Sequence, residues 1–259
     1  INLMIDSPEM LSIDISLSKK FDGSKLKHVN VQFIIQEAKQ QILKYYPNHN
    51  IAHIIINNYK IDGVDYSYLP EKIECHFISL DILFICLPND LVLYFKNIFS
   101  RSNILINQII CTTYAKSINY KDNLDLTGYV SFVDIGFKKT SIISYLNDKI
   151  LSLDTLPVGG NHITKDISKI LEVSLVRAEQ IKLSFDQNYE SSIHENISIE
   201  ILQKIILART EEILELSAKS SRVNLFALDQ SKMVLMGEGS KILDNRYKDK
   251  ISFLHDINF

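Results

Sequence analysis

The chain has 259 residues, enough to bury a sizeable core as one large domain or two moderate ones. Apolar residues make up 46% and charged residues 23%, which is globular composition and excludes a disordered tail. A net charge of −3 gives no overall pull toward nucleic acid or anionic lipid, and no apolar run approaches the roughly 18–20 residues that span a bilayer.

In chain order, Ile1 to Leu17 reads as two short strands around the turn Asp6-Ser7-Pro8, and Asp22-Gly23-Ser24 as loop. From Val31, helical spacing of Phe33, Ile34, Ala38, Gln41, Ile42 and Tyr45 predicts a helix that ends at Pro47. Four strands are expected next, over Ala52–Ile56, Tyr59–Val64, Lys72–Leu80 and Ile82–Cys86, with turn signals at Gly63 and Pro70. Asp90–Phe99 reads as a helix with Asn89 as its N-cap, and Ile104–Ile110 as a strand. The three cysteines, Cys75, Cys86 and Cys111, lack metal-ligand spacing and read as small buried hydrophobes in a reducing compartment, so the cytoplasm is expected.

After Gly128 the pattern changes. Strands are predicted over Val130–Ile135, Thr140–Tyr145 and Ile150–Thr155, forming a meander whose second turn is Asn147-Asp148. Helices follow over Asn161–Leu171 and Leu175–Phe185, then a polar loop over Asp186–Asn196. A long amphipathic helix is expected over Ile199–Ser217, with Ile201, Ile205, Leu207, Ala208, Ile213 and Leu216 as its apolar positions. A strand over Lys232–Met236, a glycine turn and a short helix around Ile242 complete the pattern. Ile1 lies in an apolar run and Phe259 ends without a polar tail, so a fragment of a longer protein is expected.

Of the eight glycines, five fall in three clusters, each directly after a predicted strand. Gly136 follows Asp134-Ile135, Gly159-Gly160 follow Pro157-Val158, and Gly237 and Gly239 follow Val234-Leu-Met236. Glycine at strand ends permits positive φ and close approach of a ligand to backbone, a pattern suited to phosphate. Asp134, next to a hairpin turn of backbone N–H groups, could hold a hydrated Mg²⁺, with Thr140 and Ser141 as hydroxyl donors. Asp134 as a simple turn cap, with Lys138-Lys139 a solvated tip, fits equally. Gly159-Gly160-Asn161 opens a helix whose N–H groups suit a phosphate; an Asn161 N-cap explains it equally. Glu179 and Lys182, one helical turn apart, could offer an acceptor and a donor to a ribose, or form an ordinary surface pair. The bare backbone of Gly237-Glu238-Gly239 could pack on a purine, or serve as a plain strand-to-helix turn.

The order of these motifs resembles the second half of the actin, sugar-kinase and Hsp70 ATPase superfamily. The specific likeness is to the bacterial cell-division family FtsA. It is carried by Phe132-Val-Asp-Ile-Gly136, Pro157-Val-Gly-Gly-Asn-His-Ile-Thr-Lys-Asp-Ile167, Ala178-Glu-Gln-Ile-Lys182, Ala208-Arg-Thr-Glu-Glu-Ile213 and Val234-Leu-Met-Gly-Glu-Gly239, with His53-Ile-Ile-Ile-Asn-Asn-Tyr-Lys-Ile-Asp-Gly63 upstream. The resemblance implies an α/β, actin-like ATPase fold, with ribonuclease-H-like sheets, flanking helices and an inserted α+β subdomain. The implied divisions are 1–20 (remnant of a first subdomain), 21–111 (the insertion), 112–128 (return helix and linker), 129–185 (phosphate and ribose side), 186–222 (helical subdomain) and 223–259 (adenine side). It implies an ATP site with Mg²⁺: Asp134 on the ion through water, and Gly136, Thr140, Ser141, Gly159, Gly160 and Asn161 around phosphates. Glu179 and Lys182 would meet the ribose, and Gly237, Glu238 and Gly239 the adenine.

The same resemblance implies head-to-tail polymerisation and other divisome partners at the insertion. It also implies binding of the FtsZ C-terminal tail through Arg209, and attachment to the inner face of the membrane at the division septum by a C-terminal helix outside this chain. No residue is assigned as catalytic, and hydrolysis is expected to be weak or absent. The departure is Phe137-Lys138-Lys139, where the family has small residues: Phe137 would be strained at positive φ or would reshape the turn, and the lysines could supply charge. The alternatives are a PilM-like pilus assembly protein and an active ATPase or phosphotransferase of the same fold.

Overall fold

The structure, a computed structural model, describes residues 1–70, 73–124, 126–186, 198–220 and 232–242. The chain forms two compact units, Ile1–Asn119 and Tyr120–Phe259. The first holds β1 (Asn2–Ile5), β2 (Leu11–Lys20), α1 (His28–Tyr45), β3 (His49–Ile61), β4 (Val64–Tyr66), β5 (Phe77–Pro88), α2 (Asn89–Arg101) and β6 (Gln108–Cys111). Helix α3 (Thr112–Leu124) carries the chain into the second unit. That unit holds β7 (Tyr129–Ile135), β8 (Thr140–Leu146), β9 (Lys149–Leu156), α4 (Gly160–Ile170), α5 (Leu175–Asp186), α6 (Ile199–Ser220), β10 (Lys232–Met236) and a 3-10 turn over Glu238–Ile242.

In the first unit an antiparallel sheet runs in the order β2-β5-β3-β4, and β1 pairs in parallel with β6. The four short strands expected between Ala52 and Cys86 are two long ones joined by the short β4. Asn57-Asn58 and Asp81 looked like interruptions, but the register sets Asn58 opposite Asp81. Their polar atoms are served locally: Ser16 Oγ donates to Asp81 Oδ1 (2.6 Å) and Asn58 Nδ2 to Asp65 Oδ1 (2.6 Å). Asp62-Gly63, both at positive φ, make the two-residue turn between β3 and β4. Strand β2 pairs with β5 along its whole length, so residues 11–20 join the sheet of the 21–111 block instead of standing apart from it.

Helix α1 buries Val31, Ile34, Ala38 and Ile42 on this sheet, at i, i+3, i+7 and i+11. Phe33, Gln41 and Tyr45, which also fitted helical spacing, are exposed. Asn89 is the first residue of α2 and not its cap; its side chain donates to the Pro47 carbonyl (2.9 Å). The strand expected at Ile104 begins at Gln108. All three cysteines are free and buried, and burial pushes the Cys86 thiol up to about 11.

The second unit is built on the sheet β10-β7-β8-β9. Strand β7 is central, with β10 parallel on one side and β8 antiparallel on the other, and all seven of its residues are buried. Because β9 runs antiparallel to β8, strands β7, β9 and β10 all point the same way and end at the same edge of the sheet. Helix α6 packs on the sheet through Ile213, Leu214 and Ala218, and on α4 and α5 through Leu202, Ile205 and Ile206. Ile205 and Ile213, expected on the apolar face of α6, are buried, while Ile201, Ala208 and Leu216 are exposed and Leu202, Ile206 and Leu214 are buried beside them. The predicted loop beyond Asp186 and the predicted segments 221–231 and 243–259 lie outside the described residues.

Candidate functional site

All three glycine clusters follow strands that end at one edge of the second sheet, so the topology brings them together. Gly160 N donates to the Gly136 carbonyl (2.9 Å), and a Cβ on Gly160 would lie 4.0 Å from Gly239 Cα. Most of these glycines are required by the protein's own backbone. A Cβ on Gly159 would sit 2.5 Å from Gly136 O and 2.8 Å from Lys139 N. On Gly237 it would collide with Asp134 Oδ1 and lie 2.6 Å from the Ile135 carbonyl, and on Gly239 it would lie 2.7 Å from the same carbonyl. Of the five, only Gly237 has positive φ (89°). The turns are therefore close-packed first, and open to a ligand only where Gly136, Gly160 and Gly239 border a cleft.

That cleft encloses about 270 Å³ and is lined also by Phe137, Ile163, Glu179, Lys182, Leu183, Glu238 and Lys241. Glu179 and Lys182 are not a surface pair. Lys182, on α5, is 8% exposed, and its Nζ donates to Glu179 Oε2 (2.8 Å), Thr164 Oγ1 (2.8 Å) and the Gly160 carbonyl (3.1 Å). Thr164, on α4, also donates to Glu179 Oε2. Burial pushes the Glu179 carboxyl up, but hydrogen bonds from Lys182 and Thr164 and the Lys182 charge outweigh it and hold the carboxyl below its ordinary value. Thr164 was not singled out from the sequence; its place four residues after Gly160, facing an E-x-x-K helix, is visible only once α4 and α5 pack together. Glu238 and Lys241 pair at the rim (2.6 Å).

Other expected site residues face elsewhere. The first N–H groups of α4 are not open to an anion. Gly160 N and Asn161 N donate to the carbonyls of Gly136 and Phe137 (2.9 and 2.7 Å), and the cap is Gly159, whose N–H donates to His162 Nδ1 (3.2 Å). Asn161 does not line the cleft. Thr140 is fully buried, and its hydroxyl donates to the Val158 carbonyl (2.8 Å), tying β8 to the β9–α4 turn. Ser141 is buried and accepts from Lys139 Nζ (3.1 Å). Asp134 is buried against the Gly237 turn, opposite Ser141 in the β7–β8 ladder. Phe137 escapes strain, because its φ is not positive; it stands 58% exposed at the hairpin tip and borders the cleft. Among the described residues, no group of three His, Cys, Asp or Glu side chains is arranged to hold a metal.

Arg209 is held within the protein. Its Nε and Nη2 grip both oxygens of Asp166 on α4 (2.6 and 3.1 Å), and Nη1 donates to Glu212 (2.5 Å). Hydrogen bonding to Asp166 raises its pKa. Ile205, one helical turn before Arg209, is buried between the helices. The geometry gives no free cation beside an apolar strip at this point on α6.

Comparison with known proteins agrees with this architecture. Residues 131–233 match the family model "Cell division protein FtsA", a span that takes in the β7–β8 hairpin and helices α4, α5 and α6 and ends before the Gly237-Glu238-Gly239 turn. The FtsA of Bacillus subtilis is 28% identical over 219 residues, covering 77% of this chain and 49% of its own length. The chain spans about half the length of the curated relatives it matches. Among solved structures, the PilM-PilN type IV pilus biogenesis complex aligns with a TM-score of 0.60 at 14% identity, over 96% of this chain and 65% of that one. MreB 5 of Spiroplasma citri, bound to AMPPNP, aligns at 0.50 and 16% identity, over 65% of this chain and 59% of that one. The solved structures give the chain an actin-like ATPase fold, and its sequence is similar to FtsA cell-division proteins over residues 131–233 and, at modest identity, along most of its length.

Proposed function

We propose that the second unit is the base-and-ribose half of an ATP site in a bacterial cell-division protein. The observation that carries this reading is the cleft at the common end of β7, β9 and β10, bordered by Glu179 and by the bare backbone of Gly160 and Gly239. Glu179 would accept ribose hydroxyls, and Gly237 to Gly239 would border the adenine. A Mg²⁺ ion arriving with the phosphates would meet Asp134 through water. The α4 amides are spent on the hairpin carbonyls. The peptide N–H groups of Phe137 and Lys138 point away from those carbonyls, since trans peptides oppose the two groups, and are the donors left for a phosphate oxygen. When bound, the nucleotide supplies a charged, rigid filler between parts of the protein, and no residue is assigned to hydrolysis.

The FtsA match supports the wider role in this reading. The protein polymerises head to tail and links FtsZ filaments to the cytoplasmic face of the membrane at the septum, with other division proteins binding the first unit. FtsZ-tail binding belongs to the helical part of the second unit, without Arg209 as a free cation. A PilM-like pilus role is the second reading, favoured by the pilus protein's coverage of 96% of this chain at the level of fold.

The test is ATP with Mg²⁺ against thermal unfolding of the chain. Ligand at about 100 times its Kd stabilises by roughly 2.7 kcal/mol. A concentration-dependent rise that Glu179→Ala removes is the expected result. No rise with ATP, ADP or adenosine would contradict the site.

A further inference from the structure

The antiparallel sheet of the first unit has two unlike edges. At one, β4 is three residues long; at the other, β2 is ten, paired with β5 throughout and with no strand on its outer side among the described residues. No residue of β2 is buried, although Ile13, Ile15 and Leu17 pack against the core under α1. In an antiparallel ladder the backbone groups of successive residues point to opposite sides. The outer side of β2 therefore presents a row of N–H and C=O groups that an extended chain can take up as a further ladder. Beside that edge lies an open groove of about 550 Å³, lined by Ile13, Ile15 and Leu17 of β2 and by Ile42, Tyr45 and Tyr46 at the C-terminal end of α1. Tyr45 is 67% exposed, and tyrosines so placed are common anchors of protein interfaces.

We propose that this edge and groove take an extended segment of a partner protein as a fifth strand, antiparallel on β2. The pleat of β2 sets the chemistry of that segment. Its alternate residues enter the groove over Ile13, Ile15 and Leu17 and are apolar; those between them lie over Ser12, Asp14, Ser16 and Ser18 and are polar. Lys20 and Lys44 flank the site, exposed and without an acidic partner among the described residues, whereas Lys19 is paired with Glu37 (3.2 Å). An acidic residue at the end of the segment that meets Lys20 completes it. A second copy of the chain fits less well. The run Leu11-Ser-Ile-Asp-Ile-Ser-Leu17 reads the same in both directions, so the antiparallel register that matches every apolar residue sets Asp14 opposite its own copy. Like charges directly opposite in a ladder are destabilising. The proposal deepens the reading that other division proteins bind the first unit, giving that binding a place and a form.

The probe is a labelled peptide, Glu-Thr-Thr-Val-Thr-Ile-Thr-Val-Thr, with binding to the full chain read by fluorescence anisotropy. A Kd below about 1 mM is expected. Versions N-methylated at the odd or at the even residues separate a paired strand from a merely adhesive segment. One pattern should abolish binding and the other leave it within about threefold. Tyr45→Ala, at an exposed position, should weaken binding about tenfold. Lys20→Glu should weaken it about threefold, and a peptide with Lys in place of Glu should recover the loss. Loss of binding with both N-methyl patterns, or with neither, would overturn the added strand. Binding that Tyr45→Ala and Lys20→Glu leave unchanged would overturn the site, as would no binding at about 1 mM peptide. Self-association of the parent that Tyr45→Ala abolishes would give the groove to a second copy and overturn the partner. Each of these results leaves standing the reading that division proteins bind the first unit, which fails instead if the full chain binds none of them.

Discussion

Gly159 and Gly160 are adjacent, and the structure gives them opposite sensitivities to the same change. A methyl group on Gly159 would lie 2.5 Å from Gly136 O, 2.8 Å from Lys139 N and 3.0 Å from Lys139 O, all backbone atoms of the β7–β8 hairpin. The hairpin cannot yield cheaply, because Gly136 N donates to Lys139 O and its carbonyls hold Gly160 N and Asn161 N. Relief requires a displacement of roughly 0.5–1 Å, which strains the packing by about 1–3 kcal/mol. Loss of the Gly160–Gly136 and Asn161–Phe137 bonds adds about 0.5–1.5 kcal/mol each. The φ of Gly159 is extended (−169°), so the penalty is steric and not conformational. Gly159→Ala should therefore cost about 2–6 kcal/mol. At Gly160 the nearest atoms would be at 3.7 Å, ordinary contact on a helical residue, so Gly160→Ala should be neutral or stabilising by up to about 1 kcal/mol. Urea unfolding of both variants beside the parent reads the difference. A Gly159→Ala cost below about 0.5 kcal/mol would refute the packing argument.

Four further outcomes follow. Asp166 and Arg209 should show coupling of about 1 kcal/mol in a double-mutant cycle, discounted for their partial exposure, with additivity sinking the interhelical pair. Glu179 has a depressed pKa in the folded state, so its stabilisation is complete above its unfolded value of 4.5 and is lost as pH falls through the lower folded value. The stability gap between parent and Glu179→Gln should accordingly be flat at neutral pH and close only in acid; a gap that closes near neutrality would exclude the network. Burial lowers the pKa of His53, whose Nε2 accepts from Cys111 N (2.9 Å), so its neutral form is favoured and the stability it lends fades as pH drops below the unfolded value of 6.5. His53→Gln should lack that loss in urea titrations, and an identical pH profile would count against the bond. Lys138→Ala at the exposed hairpin tip should change stability by less than about 0.5 kcal/mol by the same method, and a larger loss would mean that the tip is not merely solvated.

Much of the second unit was legible in its sequence because its strands are short, alternating and punctuated by glycine: β10 runs from Lys232 to Met236, as its pattern predicts. The gathering of the glycine turns was also legible as an order of motifs, though not why each glycine is there. Gly159, Gly237 and Gly239 answer to carbonyls and a carboxylate on β7 and its hairpin, which spacing cannot reveal. For the same reason a bulky residue at Gly239 tests the fold before it tests a ligand. Polar residues misled where a register supplied their partners, as with Asn58 and Asp81. Side chains whose partners lie far along the chain could not be placed from local spacing. Arg209 finds Asp166 on another helix, 43 residues away, and Lys182 finds Thr164 and the Gly160 carbonyl on α4. Part of the apolar stripe of α6 was displaced because both faces of that helix carry aliphatic residues, and only packing decides between Ile201 and Leu202.

Hydrogen exchange of the full chain with and without ADP and Mg²⁺ tests the central claim most directly. Slowed exchange is predicted in the segments that border the cleft: residues 134–140, 159–164, 179–183 and 237–241. Protection confined to other segments, or no protection at saturating ADP, would contradict a nucleotide site at the common end of β7, β9 and β10.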